Sequence, residues 1–184
     1  VRIIAGEWRG RRLASVGKGD PGAHLRPTTD RVRESLFNML AGGRFGEPFE
    51  GAVVLDLFAG TGALGLEALS RGALSATFVE NGRVGQRLIR ENLKTLGCAD
   101  RAAVVGADAT RLPPGAPCSL VFLDPPYGKG LGARALEAAL AQGWIGAEAL
   151  VVWEESAPQV APAGFATLDT RKYGDTHVTV LRAL

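Results

Sequence analysis

Cysteine is scarce in this 184-residue chain: Cys98 and Cys118 are the only two, and their spacing matches no metal-ligand pattern. That argues against a disulfide framework and against a zinc site, and both thiols read as buried and inert. No run of about 18 apolar residues occurs, and no charged-then-apolar leader opens the sequence. Neither membrane insertion nor export is therefore expected, and a cytoplasmic location is. Internal repeats and low-complexity tracts are absent as well. Net charge is small, at +2, but unevenly spread. Residues 1–46 hold nine Lys/Arg against four Asp/Glu, and the remainder holds twelve against fifteen. Such polarisation points to a polyanionic partner, with a merely solvated basic surface as the competing explanation.

What is present is enough apolar residue, 46%, for one well-buried domain with a small appendage. Arg2-Ile3-Ile4 and Arg11-Arg12-Leu13 flank the glycine-bearing stretch Ala5–Gly10, a pattern that predicts a short hairpin. Trp8 between Arg9, Arg11 and Arg12 suits phosphate binding with base stacking. An edge hairpin with soluble arginines and a packed Trp8 is the plainer alternative. Residues 14–25 read as a loop. Thr28-Thr29-Asp30 then offers N-cap chemistry to a helix carrying Val32, Leu36, Met39 and Leu40 on one face, with Arg31, Arg33, Glu34 and Asn38 elsewhere.

The apolar run Ala52–Leu57, fit for a central parallel strand, leads into Phe58-Ala59-Gly60-Thr61-Gly62-Ala63-Leu64-Gly65 and an Ala/Leu-rich helix. The next strand ends at Glu80, twenty residues past Gly60. Glycines at this spacing followed by an acid also fit a dinucleotide fingerprint. Asp56 decides against it, because a carboxylate beside a phosphate nest is repulsive, whereas the ammonium and sulfonium of S-adenosylmethionine attract one. A helix over 82–96 carries Arg83, Arg87, Arg90 and Lys94 on one face, which reads as a solvated surface. The strand Ala102–Val105 exits through Asp108-Ala109, where Asp108 could accept an adenine amino group or simply cap a turn.

The strand Ser119–Leu123 runs into Asp124-Pro125-Pro126-Tyr127. Two prolines stop the strand with a stiff, extended exit. A carboxylate and a Pro125 carbonyl held there make paired acceptors for one planar NH2 group, and Tyr127 offers a face for the ring bearing it. A helix near 131–142, the strand Leu150–Trp153 and a hairpin of Phe165–Thr170 with Thr176–Leu181 complete the pattern. Strand and helix alternate through the middle, so the expected fold is a doubly wound α/β sheet with an antiparallel hairpin at one edge.

Asp56 with the glycine loop, Glu80, Asp108 and Asp124 thus fall at the ends of four successive strands. This series resembles the class I S-adenosylmethionine-dependent methyltransferases, which implies a mostly parallel seven-stranded, Rossmann-like sheet with its first strand beside its fourth. More closely, Arg2-Ile3-Ile4-Ala5-Gly6, Arg9-Gly10-Arg11, Arg26–Asn38 and Tyr173-Gly174-Asp175-Thr176 resemble the RsmD family of bacterial 16S rRNA guanine-N2 methyltransferases that modify guanine 966. Ala5 departs from the glycine common in that family. The resemblance implies an S-adenosylmethionine site at Asp56, Phe58, Ala59, Gly60, Thr61, Gly62, Glu80, Asn81, Asp108, Ala109 and Thr28. It implies catalysis at Asp124, Pro125, Pro126 and Tyr127, RNA contacts from Arg2, Trp8, Arg9, Arg11, Arg12, Arg31 and Arg33, and no metal. It further implies residues 1–25 as an RNA-docking appendage to a catalytic domain at 26–184, a monomer acting on 16S rRNA within the small ribosomal subunit or a late assembly intermediate. Two other readings stay open: a methyltransferase of another amino target, such as DNA adenine N6 or a protein glutamine, and an RNA-binding module without turnover. Product digestion separates the first from an rRNA enzyme, and the intact acidic exit loop speaks against the second.

Overall fold

The computed structural model describes residues 1–15 and 29–184. After helix α1 (Asp30–Ala41), strands β1 (Val53–Leu57), β2 (Ser75–Val79), β3 (Ala102–Val105), β4 (Cys118–Leu123), β5 (Ile145–Glu155), β6 (Phe165–Tyr173) and β7 (Thr176–Ala183) form one sheet. Helix α2 (Ala63–Ser70) follows β1, α3 (Arg83–Leu96) follows β2, and α4 (Leu131–Ala141) follows β4. The strand order is β3-β2-β1-β4-β5-β7-β6. Pairings are parallel from β3 through β5 and antiparallel from β5 through β7 to β6. The order reverses between β1 and β4, as expected, and a doubly wound sheet opens a ligand crevice at that reversal.

Near-continuous apolar runs in β1 and β4 are explained by burial on both faces. Val54, Phe78, Phe122 and Val152 pack with α1, α2 and α3 on one side. Leu55, Leu57, Val79, Val121 and Leu123 pack with α4 residues Ala135, Leu136 and Ala139 on the other. The Thr29 side chain caps α1, accepting from the Val32 amide at 3.2 Å. In β5 the strand begins five residues before the expected Leu150, and the pairing with β4 is irregular there, with Glu148 in a left-handed conformation. Among the described residues, no helix is long and apolar enough to cross a membrane.

The N-terminal stretch differs from the two expected strands. Among its described residues no strand forms, but an isolated antiparallel bridge, Arg2 to Arg12, joins its ends, with the Ile3 amide donating to the Arg11 carbonyl and the Leu13 amide to the Val1 carbonyl, both at 2.9 Å. Between them the chain curls: Gly6 and Gly10 have positive φ, and the amides of Arg9 and Arg11 bond back to the Gly6 and Trp8 carbonyls. The remaining hydrogen-bonding capacity is met by the domain. The fully buried Glu67 carboxylate accepts from the Ile4 and Ala5 amides at 2.9 and 3.1 Å. Ser70 supplies its carbonyl to the Glu7 amide and its hydroxyl oxygen to the Trp8 amide. A Cβ on Gly6 would lie 1.9 Å from the Ser70 carbonyl oxygen, so the close approach requires glycine. Ile3, Trp8 and Leu13 enter the same apolar cluster as α1 and α2.

Candidate active site

Register brings the strand exits together. Leu57 pairs with Val79 on one side and Leu123 on the other, so Phe58, Glu80 and Asp124 leave the sheet side by side. Val79 in turn pairs with Val105, which sets the Gly106–Ala109 exit next in line.

The loop after β1 is held by backbone conformation and by two carboxylates. Phe58 has φ 57°, uncommon for a residue with a side chain, and Gly60 and Gly62 follow at 61° and 83°. Such a residue costs on the order of 1–3 kcal/mol and persists only when its surroundings over-determine it. Here they do. The Ala59 amide donates to the Val79 carbonyl at 3.0 Å, and the Gly60 amide donates to Glu80 Oε1 at 2.9 Å. Glu80 Oε2 accepts from the Gly82 amide, also at 2.9 Å. Asp56 lies beneath the loop, 1% exposed, and its Oδ2 accepts from the Gly65 amide at 3.0 Å. Burial pushes the Asp56 carboxyl well above the usual range; the Gly65 hydrogen bond opposes this, and the charges of Asp124 and Glu80 add to it. The strand register that aligns the three exits sets these acids in one neighbourhood.

Phe58, Val79, Glu80, Asn81, Ala107 and Ala109 line a cleft beside this loop. Its chemistry suits a nucleoside: Phe58, Ala107 and Ala109 give apolar walls for a flat heterocycle, and Glu80 gives a carboxylate for hydroxyl groups. Asn81 is exposed at the rim. Asp108 is exposed and forms a turn, its Oδ1 accepting from both the Thr110 amide and hydroxyl, and these bonds hold its carboxyl below the usual range. Thr61 contributes its carbonyl to Asn92 Nδ2 at 3.0 Å.

The β4 exit is braced by β1, β5 and β7. The Asp124 amide reaches toward the Leu57 carbonyl at 3.5 Å, and Pro125 is buried while Pro126 is exposed. The Tyr127 hydroxyl sits 3.5 Å from Thr176 Oγ1, at the start of β7. Buried Glu155, at the end of β5, accepts from the Gly128 amide at 3.2 Å. The hairpin residue Thr176 therefore lies against the Tyr127 hydroxyl.

The residues expected to meet RNA divide into two sets. Arg2, Arg9, Arg11, Arg12 and Arg31 are exposed. Arg33 is not: it is 0% exposed, pairs with Asp30 and Glu67 and donates to the Arg2 carbonyl. Its α1 position faces the N-terminal stretch, so it is a structural cation and cannot present itself to phosphate from that position. Burial lowers its pKa, and the Glu67 and Asp30 charges resist that. Trp8 is corrected likewise: it is buried in the core, with the Arg101 guanidinium 5.1 Å from its ring centroid, so that face is closed to a base. Thr28 lies outside the described residues.

Asn92 and Glu67 were not singled out by sequence. Asn92, 1% exposed, accepts from the Ala14 amide at 2.6 Å and donates to the Ala14 and Thr61 carbonyls. It ties the N-terminal stretch to the glycine loop. The available signal was a polar residue at an inward position of α3, between Leu88 and Leu96.

The family model described as Conserved hypothetical protein 95 matches residues 1–182. Ribosomal RNA small subunit methyltransferase D of Escherichia coli K12 is 46% identical over 165 residues, covering 88% of this chain and 78% of the relative. The protein of the same name from Haemophilus influenzae is 37% identical over 182 residues, covering 95% and 89%. Among solved structures, the candidate methyltransferase yhhF of Escherichia coli aligns with a TM-score of 0.82 at 40% identity, covering 100% of this chain and 97% of that one. TrmN of Thermus thermophilus aligns with a TM-score of 0.66 at 25% identity, over 89% of this chain and 52% of that one.

Proposed function

Since the chain belongs to the RsmD family of bacterial small-subunit rRNA methyltransferases, we propose that it transfers a methyl group from S-adenosylmethionine to the exocyclic N2 amine of guanine 966 in 16S rRNA. The observation that carries this reading is the side-by-side exit of the β1 glycine loop and Asp124-Pro125-Pro126-Tyr127 at the reversal in strand order. In this reading the cleft lined by Phe58, Glu80 and Ala109 and the acceptors of the β4 exit open to one crevice.

Phe58 through Gly62, Glu80, Asn81, Asp108 and Ala109 hold the cofactor in this reading, Glu80 taking the ribose hydroxyls and the Asp108–Ala109 turn the adenine. The bound cofactor supplies a methyl group activated by its sulfonium. Asp124 and the Pro125 carbonyl accept the two N–H bonds of the guanine amine, which draws the nitrogen lone pair out of conjugation and stabilises the positive charge that grows on nitrogen. Pro126 and Tyr127 fix the ring plane, and alignment contributes much of the remainder. The methylated amine is acidic before it loses its proton, so Asp124 or water takes that proton after transfer. No strong base is needed beforehand. Residues 1–25, with Arg2, Arg9, Arg11 and Arg12, serve as the RNA-docking segment of a catalytic domain spanning 26–184, acting as a monomer on a small subunit or late assembly intermediate in the cytoplasm.

Transfer of tritium from labelled donor to unmodified small subunits, naked 16S RNA and DNA in parallel, followed by nucleoside digestion, tests this. Label recovered as N2-methylguanosine from the subunit arm is expected. Label in N6-methyladenine from the DNA arm, or in none of the three, would overturn it.

A further inference from the structure

Helix α3 runs from the cofactor cleft, whose strand β2 lies two positions from β4 and its base-accepting exit, to the N-terminal arginines. Its first turn follows Gly82, whose amide is bonded to Glu80 at the cleft. Its last turn meets the N-terminal stretch, where Arg11 Nη2 donates to the Thr95 carbonyl at 2.8 Å. The helix is 14 residues long, about 21 Å from end to end. Arg83, Arg87, Arg90 and Lys94 are all exposed. Steps of four, three and four residues keep them within one narrow sector of the helix surface. None has an ion pair or hydrogen bond among the described residues, in contrast to Arg33, Arg44, Arg71, Arg101 and Arg171, which all pair with carboxylates. Four unneutralised cations in a row are costly unless solvent or a polyanion compensates them, and here the row has the exposed Arg9, Arg11 and Arg12 segment at one end and the cleft at the other.

We infer that the exposed face of α3 is a phosphate track that guides the substrate RNA strand between the N-terminal arginines and the cleft. This rests on the RNA-methyltransferase reading above and replaces the solvated-surface reading of the stripe that sequence alone favoured. Backbone contacts of this kind position a strand without reading its bases. Selection of the target base remains with the β4 exit.

The test compares two variants of equal charge change. R87Q/R90Q/K94Q removes three track cations and leaves Arg83, nearest the cleft, in place. R134Q/K172Q/R182Q removes three cations from α4, β6 and β7. Binding of unmodified small subunits is measured against salt concentration, with kcat and KM for methyl transfer and cofactor affinity by calorimetry. The track variant is expected to flatten the log–log salt slope by about 2 to 3, at roughly 0.7 to 0.9 per lost phosphate contact, and to raise KM at least about fivefold. Its kcat and cofactor affinity stay at the wild-type level. An unchanged slope and KM would overturn the track, and so would an equal loss in the control variant, which would mark a general charge effect. Failure of the underlying reading looks different: wild-type protein would leave every RNA unlabelled, while the slope comparison with small-subunit RNA would still report on the track.

Discussion

Glu80 Oε1 accepts the Gly60 amide at 2.9 Å, although the two residues leave different strands. The same carboxylate also accepts from Gly82, so one side chain sets the glycine loop and the start of α3 while facing the cleft. Removing it should have two consequences. Glu80→Ala loses charge-assisted bonds worth about 1.5 to 3 kcal/mol each in favourable cases, and cofactor affinity should fall by on the order of tenfold to a hundredfold. Glu80→Gln keeps one acceptor and should recover part of the stability but little of the affinity. Calorimetry and thermal melts on both variants check this; affinity that followed stability in both would reduce Glu80 to a brace.

Asp56 makes the opposite exchange. Its folded-state pKa is raised, so the folded chain holds the proton more tightly than the unfolded chain does. Stability from this group is therefore present at low pH and is lost as pH rises from the ordinary carboxylate value, 3.8, through the raised folded value. Asp56→Asn keeps an acceptor for Gly65 and removes the buried charge. Its melting temperature should exceed that of the wild type near neutral pH, and the difference should shrink on acidification, while affinity for a cationic cofactor declines. A variant with the wild-type pH dependence would place the titration elsewhere.

Turnover should separate from cofactor binding at the β4 exit. Asp124→Ala removes the charged acceptor proposed for the amine, and Tyr127→Ala removes the ring whose hydroxyl lies 3.5 Å from Thr176 Oγ1. Both should lose single-turnover rate at saturating RNA, by roughly a hundredfold or more for Asp124 by analogy with loss of one preorganised electrostatic partner, with cofactor affinity within a few fold of the wild type. Near-normal single turnover in Asp124→Ala would remove the acceptor role.

The strands themselves, the four acidic strand exits and the glycine loop were legible in the sequence because each depends on local pattern, apolar runs bounded by Gly, Pro and Asp, whereas the strand order, set by long-range pairing, was implied only by the family resemblance. The N-terminal stretch was not. Alternation around Gly6 and Gly10 resembles a hairpin, and bonds such as Ile3 to Arg11 and Leu13 to Val1 do cross it, but the amides of Ile4, Ala5, Trp8 and Ala14 go to Glu67, Ser70 and Asn92, between 62 and 78 residues away. Nothing in residues 1–13 announces those partners. Arg33 and Trp8 were misread for the same reason: arginine and tryptophan beside a basic segment suit nucleic acid equally well whether they point outward or are consumed by a distant acid or cation.

That dependence on Glu67 gives the last prediction. Its carboxylate is fully buried and accepts from two N-terminal amides, with Arg71 Nε at 3.0 Å and Arg33 Nε at 3.6 Å. Arg71 is fixed from the other side by the Phe37 ring, 4.9 Å from its guanidinium carbon. Glu67→Ala leaves two cations and two amides without their acceptor, and breaking a buried pair in this way costs about 3 to 5 kcal/mol. Glu67→Gln retains one oxygen, enough for one amide, and should cost less. Because Ile4 and Ala5 lose their acceptor in the alanine variant, amide exchange at those residues should accelerate beyond that in β1 and β4, the local loss preceding global unfolding. If the N-terminal stretch is the RNA-docking segment, the same variant should raise KM for small subunits at a temperature where the sheet is still folded. Exchange that rose equally in β1 and at Ile4 would mean that Glu67 holds up the whole domain, and that the N-terminal stretch has no docking equilibrium of its own.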